Sequence, residues 1–508
     1  MLLVVLAYPA WVRGGTHSGW QTPLPWLTLL AWAVYLFAPR SRRHADADPV
    51  SAPSPLRRTG TRIAVLLRDP VFYAALAFLV LILTQWFNAG RALRFDYVAN
   101  RWLYLPPRIP WLPSAILADE AREMWLWFFP ALSVLLLVHN GLQSRSAVAR
   151  LFRLLILNGV VLAVFGFVQY VSGTDRIYWI TPVKGHFFAG FGYSNHAASY
   201  FLLCLAMTLG LAGRDLVEAF PRRPRGGRLF LLLAAAGILV ATAHLTFSRA
   251  AVVMTWSLLA VAVVWLAATG WSLVPPAGKV TTIAAAAAMA AVGLALVTWR
   301  GDARLEALEK KFADTRPAYE YRIRGWQYET AFRMWREHPW FGVGGWGYRH
   351  LVGFYMDPER YADVRGQGRA NVHNDLLQFL AEFGAVGTGL LLMATGFCLK
   401  PVRWRRLLWS PLSFFTLFGT AGVAAHGLLD LPFRSPAVLF LWCAMLAAVG
   451  VWEVRTCAKP IAGKITASRV GDGQKHKKNK RKPLHHERNG NIRNAVACTP
   501  ACGGACCG

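Results

Sequence analysis

Charge is scarce in this sequence, and negative charge is scarcest. Only 16% of the 508 residues are charged, with 26 Asp and Glu against 55 Lys and Arg. A soluble chain carries about a quarter charged residues. The shortfall excludes the multi-domain soluble protein that length alone would suggest. Cysteine is present but poorly arranged for chemistry. Cys204, Cys398 and Cys443 stand in apolar runs, where a thiol packs as a small hydrophobe. Cys498, Cys502, Cys506 and Cys507 crowd the C-terminus without the paired spacing of a zinc or redox site. No internal repeat is visible in the helices, which counts against the inverted-repeat design of many transporters. The glycine-rich run GVGGWG at 342–347 does not follow a strand in a βαβ unit, so it reads as a turn and not as a nucleotide loop.

What the chain does have is apolar sequence: 55% of its residues are hydrophobic, and 22 are Trp. Runs of membrane-spanning length recur near 1–12, 24–38, 70–87, 123–138, 151–171, 196–213, 229–247, 250–269, 280–298, 376–399, 412–429 and 434–454. The expected fold class is an all-α polytopic membrane protein with about twelve transmembrane helices. The first run is short. It lacks a basic n-region and a small-residue cleavage site, so it reads as a span and not as a signal peptide.

The net charge of +29 suggests nucleic-acid binding until its distribution is considered. Arg40, Arg42, Arg43, Arg57, Arg58, Arg62 and Arg68 fall in one loop. Arg145 and Arg150, then Arg214, Arg222, Arg223, Arg225 and Arg228, then Lys400, Arg403, Arg405 and Arg406 fall in three others. With every span counted, these loops share one side, and excess Lys and Arg mark the cytoplasm. Both termini are then cytoplasmic, and the polar stretch 300–375 faces the opposite side. Four segments follow: helices one to nine over 1–299, a periplasmic loop over 300–375, helices ten to twelve over 376–457, and a basic tail over 458–508. The tail, with KHKKNKRK, is too polar to fold alone and reads as disordered near anionic lipid, with no nucleic-acid partner. Residues 88–122 and 172–195 are aromatic extracytoplasmic loops, suited to anchoring at the interface or to stacking on sugars.

Polar residues of chemical interest gather on the extracytoplasmic side. Arg249, in HLTFSRAAVV, stands between two apolar runs where an ionisable group is costly. Its bland alternative is a turn residue snorkelling to the interface. In the large loop, ALEKKFADTRPAYEYRIRGWQYETAFRMWREHPW reads as a helix stopped by Pro339. It carries Arg322 and Arg324, whose planar forks suit phosphate oxygens. Solvated arginines on a charged helix are the ordinary alternative. His373 opens the next apolar helix and can exchange a proton near neutral pH. Asp375 and Glu382 lie two turns apart on one face. Glu382 is roughly 13 Å deeper than His373 at the helical rise, and reads as a residue that locks helices together. Asp430, in AHGLLDLPFRSP, is a second acid/base candidate; an exposed ion pair with Arg434 is its alternative.

Taken in order, FAGFGYSNHAASYFLL, TFSRAAVV, YRIRGWQYETAFRMWREHPWFGVGGWGYR, HNDLLQFLAEFGAVG and HGLLDLPFRSPAVLFLW resemble the O-antigen ligase/polymerase family of bacterial envelope glycosyltransferases. The likeness covers about residues 185–445. It implies a GT-C-like fold in the bacterial inner membrane. It also implies transfer of a glycan from undecaprenyl diphosphate to a lipid or glycan acceptor at the periplasmic face, with no metal or other cofactor. Arg249 matches the family's Ser-Arg position, Arg322 its loop arginine, His373 its histidine and, less closely, Asp430 a late acidic position. In that chemistry Arg249 and Arg322 would grip the diphosphate, His373 would deprotonate or orient the acceptor, and inversion would follow from attack opposite the leaving group. Ligase is the first expectation and polymerase the second. Protein O-oligosaccharyltransferase is a further branch, and polysaccharide transport is the rival from another class.

Overall fold

The computed structural model describes residues 1–16, 22–39, 54–90, 93–98, 100–183, 186–218, 226–270, 316–366 and 370–457. All of them belong to one compact unit, Met1–Lys459. The expected span at 280–298, the first part of the expected loop helix, the C-terminal cysteines and the basic tail lie outside the described residues.

In chain order the helices are α1 Leu2–Trp11, α2 Pro23–Phe37, α3 Pro55–Leu66, α4 Pro70–Phe87, α5 Ala118–Gly141, α6 Arg145–Val171, α7 Ser194–Glu218, α8 Gly226–Leu245, α9 Arg249–Trp265, α10 Arg316–Glu337, α11 Gly347–Tyr355, α12 Pro358–Gly366, α13 Asp375–Leu399, α14 Pro411–His426 and α15 Pro436–Cys457. Among the described residues, eight helices are long and apolar enough to cross a membrane: α4 to α9, α13 and α15. This is a multi-pass membrane protein. Two other apolar helices, α1 and α2, are shorter, and α14 has 16 residues. The structure is not purely helical. Leu93–Asp96 pairs antiparallel with Arg101–Tyr104, and Arg176–Ile177 with Thr181–Pro182, each within one of the aromatic loops.

The spans differ sharply in burial. In α7 and α15, 83% and 89% of the apolar window is buried, against 22% in α9. The first two are central helices, and α9 lies at the rim with Val253, Trp256, Val263 and Val264 exposed. Small residues bring the central helices together, as they do where lipid offers no hydrophobic drive. A Cβ at Gly419 of α14 would stand 2.3 Å from Ala206 Cβ of α7.

The large polar stretch folds onto the start of α13. Gly384 takes φ 65° and breaks the α13 ladder, and no side chain fits there, since a Cβ would fall 2.3 Å from the Trp340 carbonyl. The break frees backbone groups, and the turn after α10 pairs with them. Val343 N donates to Ala381 O at 2.9 Å, Gly344 N to Glu382 O at 2.9 Å, and Ala385 N to Pro339 O at 2.8 Å. The GVGGWG run is thus a turn, clipped to a membrane helix by hydrogen bonds that each partner would otherwise lack. Glu382 is buried, and its carboxylate accepts from Gln378 Nε2 at 3.0 Å within its own helix. Its carbonyl makes the tie to the turn.

Candidate active site

The site is assembled from four places in the chain. The first is the start of α7. Tyr193 and Asn195, in YSNH, lie at its N-terminal end. The second is the start of α9. Ser248 is its N-cap, accepting from Ala251 N at 3.2 Å, and Arg249 is its first residue. The third is the start of α13. Asn374 caps it through Leu377 N at 3.0 Å, and His373 precedes the cap in left-handed backbone at φ 54°. The fourth is the turn between α14 and α15, which carries Asp430. Three helix N-termini therefore meet one acidic turn.

Hydrogen bonds of Asp375 set the spacing of the last two pieces. Asp375 N donates to Gly427 O at 2.6 Å, and Asp375 Oδ2 accepts from Phe433 N at 3.1 Å. The turn 427–433 is thereby held against the start of α13. His373 Nδ1 then stands 3.2 Å from Asp430 Oδ1. Tyr328 of α10 donates its hydroxyl to the His373 carbonyl at 3.0 Å, which fixes the residue from the loop side.

Asp430 is 2% exposed and fully engaged. Its Oδ1 also accepts from Leu431 N at 2.9 Å, and its Oδ2 from Tyr193 Oη at 2.8 Å and from Asn195 Nδ2. His426 Nε2 lies 4.0 Å away. The expected exposed ion pair with Arg434 does not form. Arg434 donates instead to Asn371 and lies over the Trp346 ring, 3.9 Å from its centroid. Burial alone would raise the Asp430 carboxyl. The hydrogen bond from His373 and the charges of His373, His426 and Arg324 outweigh it and hold the group below the ordinary carboxylate range. Burial, with the charge and hydrogen bond of Asp430, pushes the Tyr193 hydroxyl up. The network reaches Arg249 through one residue: Ser248 Oγ donates to Asn195 Oδ1 at 2.5 Å.

A cavity of about 780 Å³ opens beside this network. Its polar end holds Tyr193, Asn195, Ser248, Arg249, Arg324 and Asp430. Its other walls are Leu202, Val253, Met254, Leu258, Phe418 and the small residues Gly419, Gly422 and Ala425. Of the expected site residues, the structure brings together Arg249, Arg324, His373 and Asp430. It does not bring Arg322 to the cavity. Tyr321 and Arg324, three apart on α10, share the cavity-facing side. Arg322 is exposed, with its guanidinium 5.4 Å from the Trp326 ring, which Arg360 also approaches at 5.4 Å.

Residues 230–392 match the family model described as O-antigen ligase. Over that stretch the chain is similar to the O-antigen ligase/polymerase family. The matched part of this O-antigen ligase-like chain includes Arg249, Arg322, Arg324 and His373, and stops short of Asp430. No curated protein matches the chain. The family implies lipid-linked glycan substrates and a membrane setting. Sequence reasoning singled out none of Tyr193, Asn195, Ser248 or His426 as site residues. Their one signal was position, because each lies inside or beside a stretch that carries the family likeness.

Proposed function

We propose that the protein is an O-antigen ligase: it moves a glycan from undecaprenyl diphosphate to a hydroxyl of a lipid-borne saccharide acceptor, at the periplasmic face of the bacterial inner membrane. The observation that carries this reading is the Asp430–His373 pair, whose aspartate lines the polar end of a cavity that also holds two arginines and an apolar wall. The donor is already activated, since a diphosphate is a good leaving group. The protein must grip that group, stabilise the charge that grows on it, and take one proton.

Each task has a residue. Arg249 and Arg324 bind the diphosphate and meet its developing charge, and the N-terminus of α9 adds its dipole. Arg322, outside the cavity, serves at most the approach to it. The apolar walls between α7, α9 and α14 take the prenyl chain. Asp430 accepts from His373 Nδ1, which leaves the lone pair on Nε2. The acceptor O–H gives its proton to Nε2 as its oxygen attacks the anomeric carbon. The bond from that carbon to the phosphate oxygen breaks, and undecaprenyl diphosphate leaves with the electron pair. Attack from the opposite face inverts the anomeric centre. Positive loops on one side of the spans support the periplasmic orientation.

The test is reconstitution of the full chain in liposomes with a lipid-linked glycan and a core-type saccharide acceptor. The expected products are one glycosylated acceptor and one undecaprenyl diphosphate per turnover. Extension of the donor glycan on itself, with the acceptor untouched, would make the protein a polymerase.

A further inference from the structure

A second cavity, of about 400 Å³, lies against the same aspartate. Asp430 and Tyr193 line both cavities. Arg249 and Arg324 line only the first, and His373 only the second. A base that deprotonates the acceptor belongs on the acceptor's side of the reacting bond, and that is the side His373 faces.

The walls of the two cavities differ in kind. The first has an extended apolar wall beyond its polar end. The second carries Glu123, Gln327, Arg349, Asn371 and Arg434 around the Trp127 and Trp346 indoles. Its size falls within the range of small-molecule sites, roughly 300–1,000 Å³. A prenyl tail has no reason to enter it. The side chains also supply both hydrogen-bonding senses. Gln327 Oε1 and the Nε1 atoms of Trp127 and Trp346 are buried and have no hydrogen-bond partner among the described residues. An anion could accept from the indoles but could give nothing to the Gln327 oxygen. A hydroxyl does both. Carboxylates already stand against the two guanidinium charges: Glu120 Oε2 lies 3.6 Å from Arg349 Nη1, and Glu123, on the same cavity wall, acts on Arg434 by its charge.

We propose that this second cavity is the acceptor subsite, and that it takes a neutral, hydroxyl-bearing sugar ring with its reacting hydroxyl at His373. The proposal rests on the glycosyl-transfer reading and names where its second substrate sits. Gln327 and Trp127 are then specificity-determining residues, contacting the acceptor without touching the reacting atoms.

Two measurements on the full chain in nanodiscs test it, one without turnover. In an Ala370→Cys variant the new thiol lines the cavity. Its maleimide labelling, read site by site by mass spectrometry, should slow as methyl glucoside is added. It should slow less with methyl glucuronoside, the charged counterpart. Absence of protection by the neutral sugar would overturn the subsite. In the transfer assay, Gln327→Leu and Trp127→Phe should each raise the acceptor KM about three- to tenfold, the usual weight of one hydrogen bond. Donor KM should stay unchanged, and kcat should stay within about threefold. A rise in donor KM instead would place the donor's glycan in this cavity and refute the assignment. Protection by methyl glucoside in a protein that transfers nothing would leave the subsite standing and remove the glycosyl-transfer reading.

Discussion

Replacing Asp430 with Asn changes one atom and no volume, and its effect follows from the hydrogen bonds already described. The carboxylate takes four donors: His373 Nδ1 and Leu431 N on one oxygen, Tyr193 Oη and Asn195 Nδ2 on the other. An amide offers one oxygen and one NH₂. If the NH₂ takes the Oδ2 position, Tyr193 can turn its hydroxyl to accept, but Asn195 Nδ2 faces another donor. If it takes the Oδ1 position, Leu431 N faces a donor, and His373 must accept through Nδ1. The proton then moves to Nε2, and the base is lost. Either way one N–H of the network loses its acceptor. The cost is up to about 1–3 kcal/mol where that N–H is the buried Leu431 amide, and less where it is Asn195, which keeps Tyr193 Oη at 3.0 Å. The imidazolium formed during transfer also loses its counter-charge. The variant should fold with a somewhat lower melting temperature. Transfer should fall about 10²–10⁴-fold, the scale of a positioned general base. Binding of the lipid-linked donor, measured separately by scintillation proximity, should change little, because Arg249 and Arg324 are untouched. Near-wild-type transfer by a folded Asp430→Asn protein would refute the reasoning.

Other outcomes follow from the same geometry. Arg249→Ala and Arg324→Ala should each weaken donor binding at least tenfold with only partial rescue by Lys, whose ammonium is a point charge and not a fork; Arg322→Ala should cost far less, and the reverse ranking in a donor-binding assay would contradict the placement of α10. A side chain at Gly422 should grow into the first cavity, since a Cβ there meets only Leu202 Cδ2 at 3.8 Å. Gly422→Leu should therefore raise KM for the full-length prenyl donor more than for a short-chain analogue, and equal effects on the two would remove the prenyl assignment.

The sequence was most informative where one residue type is costly in its setting. An arginine between two apolar runs, a histidine at a helix mouth and an aspartate in a short turn drew notice before any geometry. Their meeting did not, because Tyr193 and Asp430 are 237 residues apart and nothing local to either announces the other. Tyr193, Asn195 and Ser248 are ordinary polar residues at helix starts, and capping explains such residues without function. The choice between Arg322 and Arg324 turned on which face of α10 packs against the bundle. A two-residue difference rotates a side chain across the helix, and only tertiary contact decides it. The aromatic loops read as interfacial anchors, and the short hairpins inside them gave no period-2 signal long enough to see. Asp430 was set beside Arg434 by spacing along the chain. Hydrogen bonds from the Asp375 backbone and carboxylate to the 427–433 turn put it beside His373 instead.

The central claim is that His373 takes the acceptor proton while the arginines hold the donor. Parallel measurement of donor binding and transfer in His373→Ala tests it most directly. The variant should bind donor as the wild type does and transfer about 10²–10⁴-fold more slowly. A His373→Ala protein that transfers normally would contradict the account.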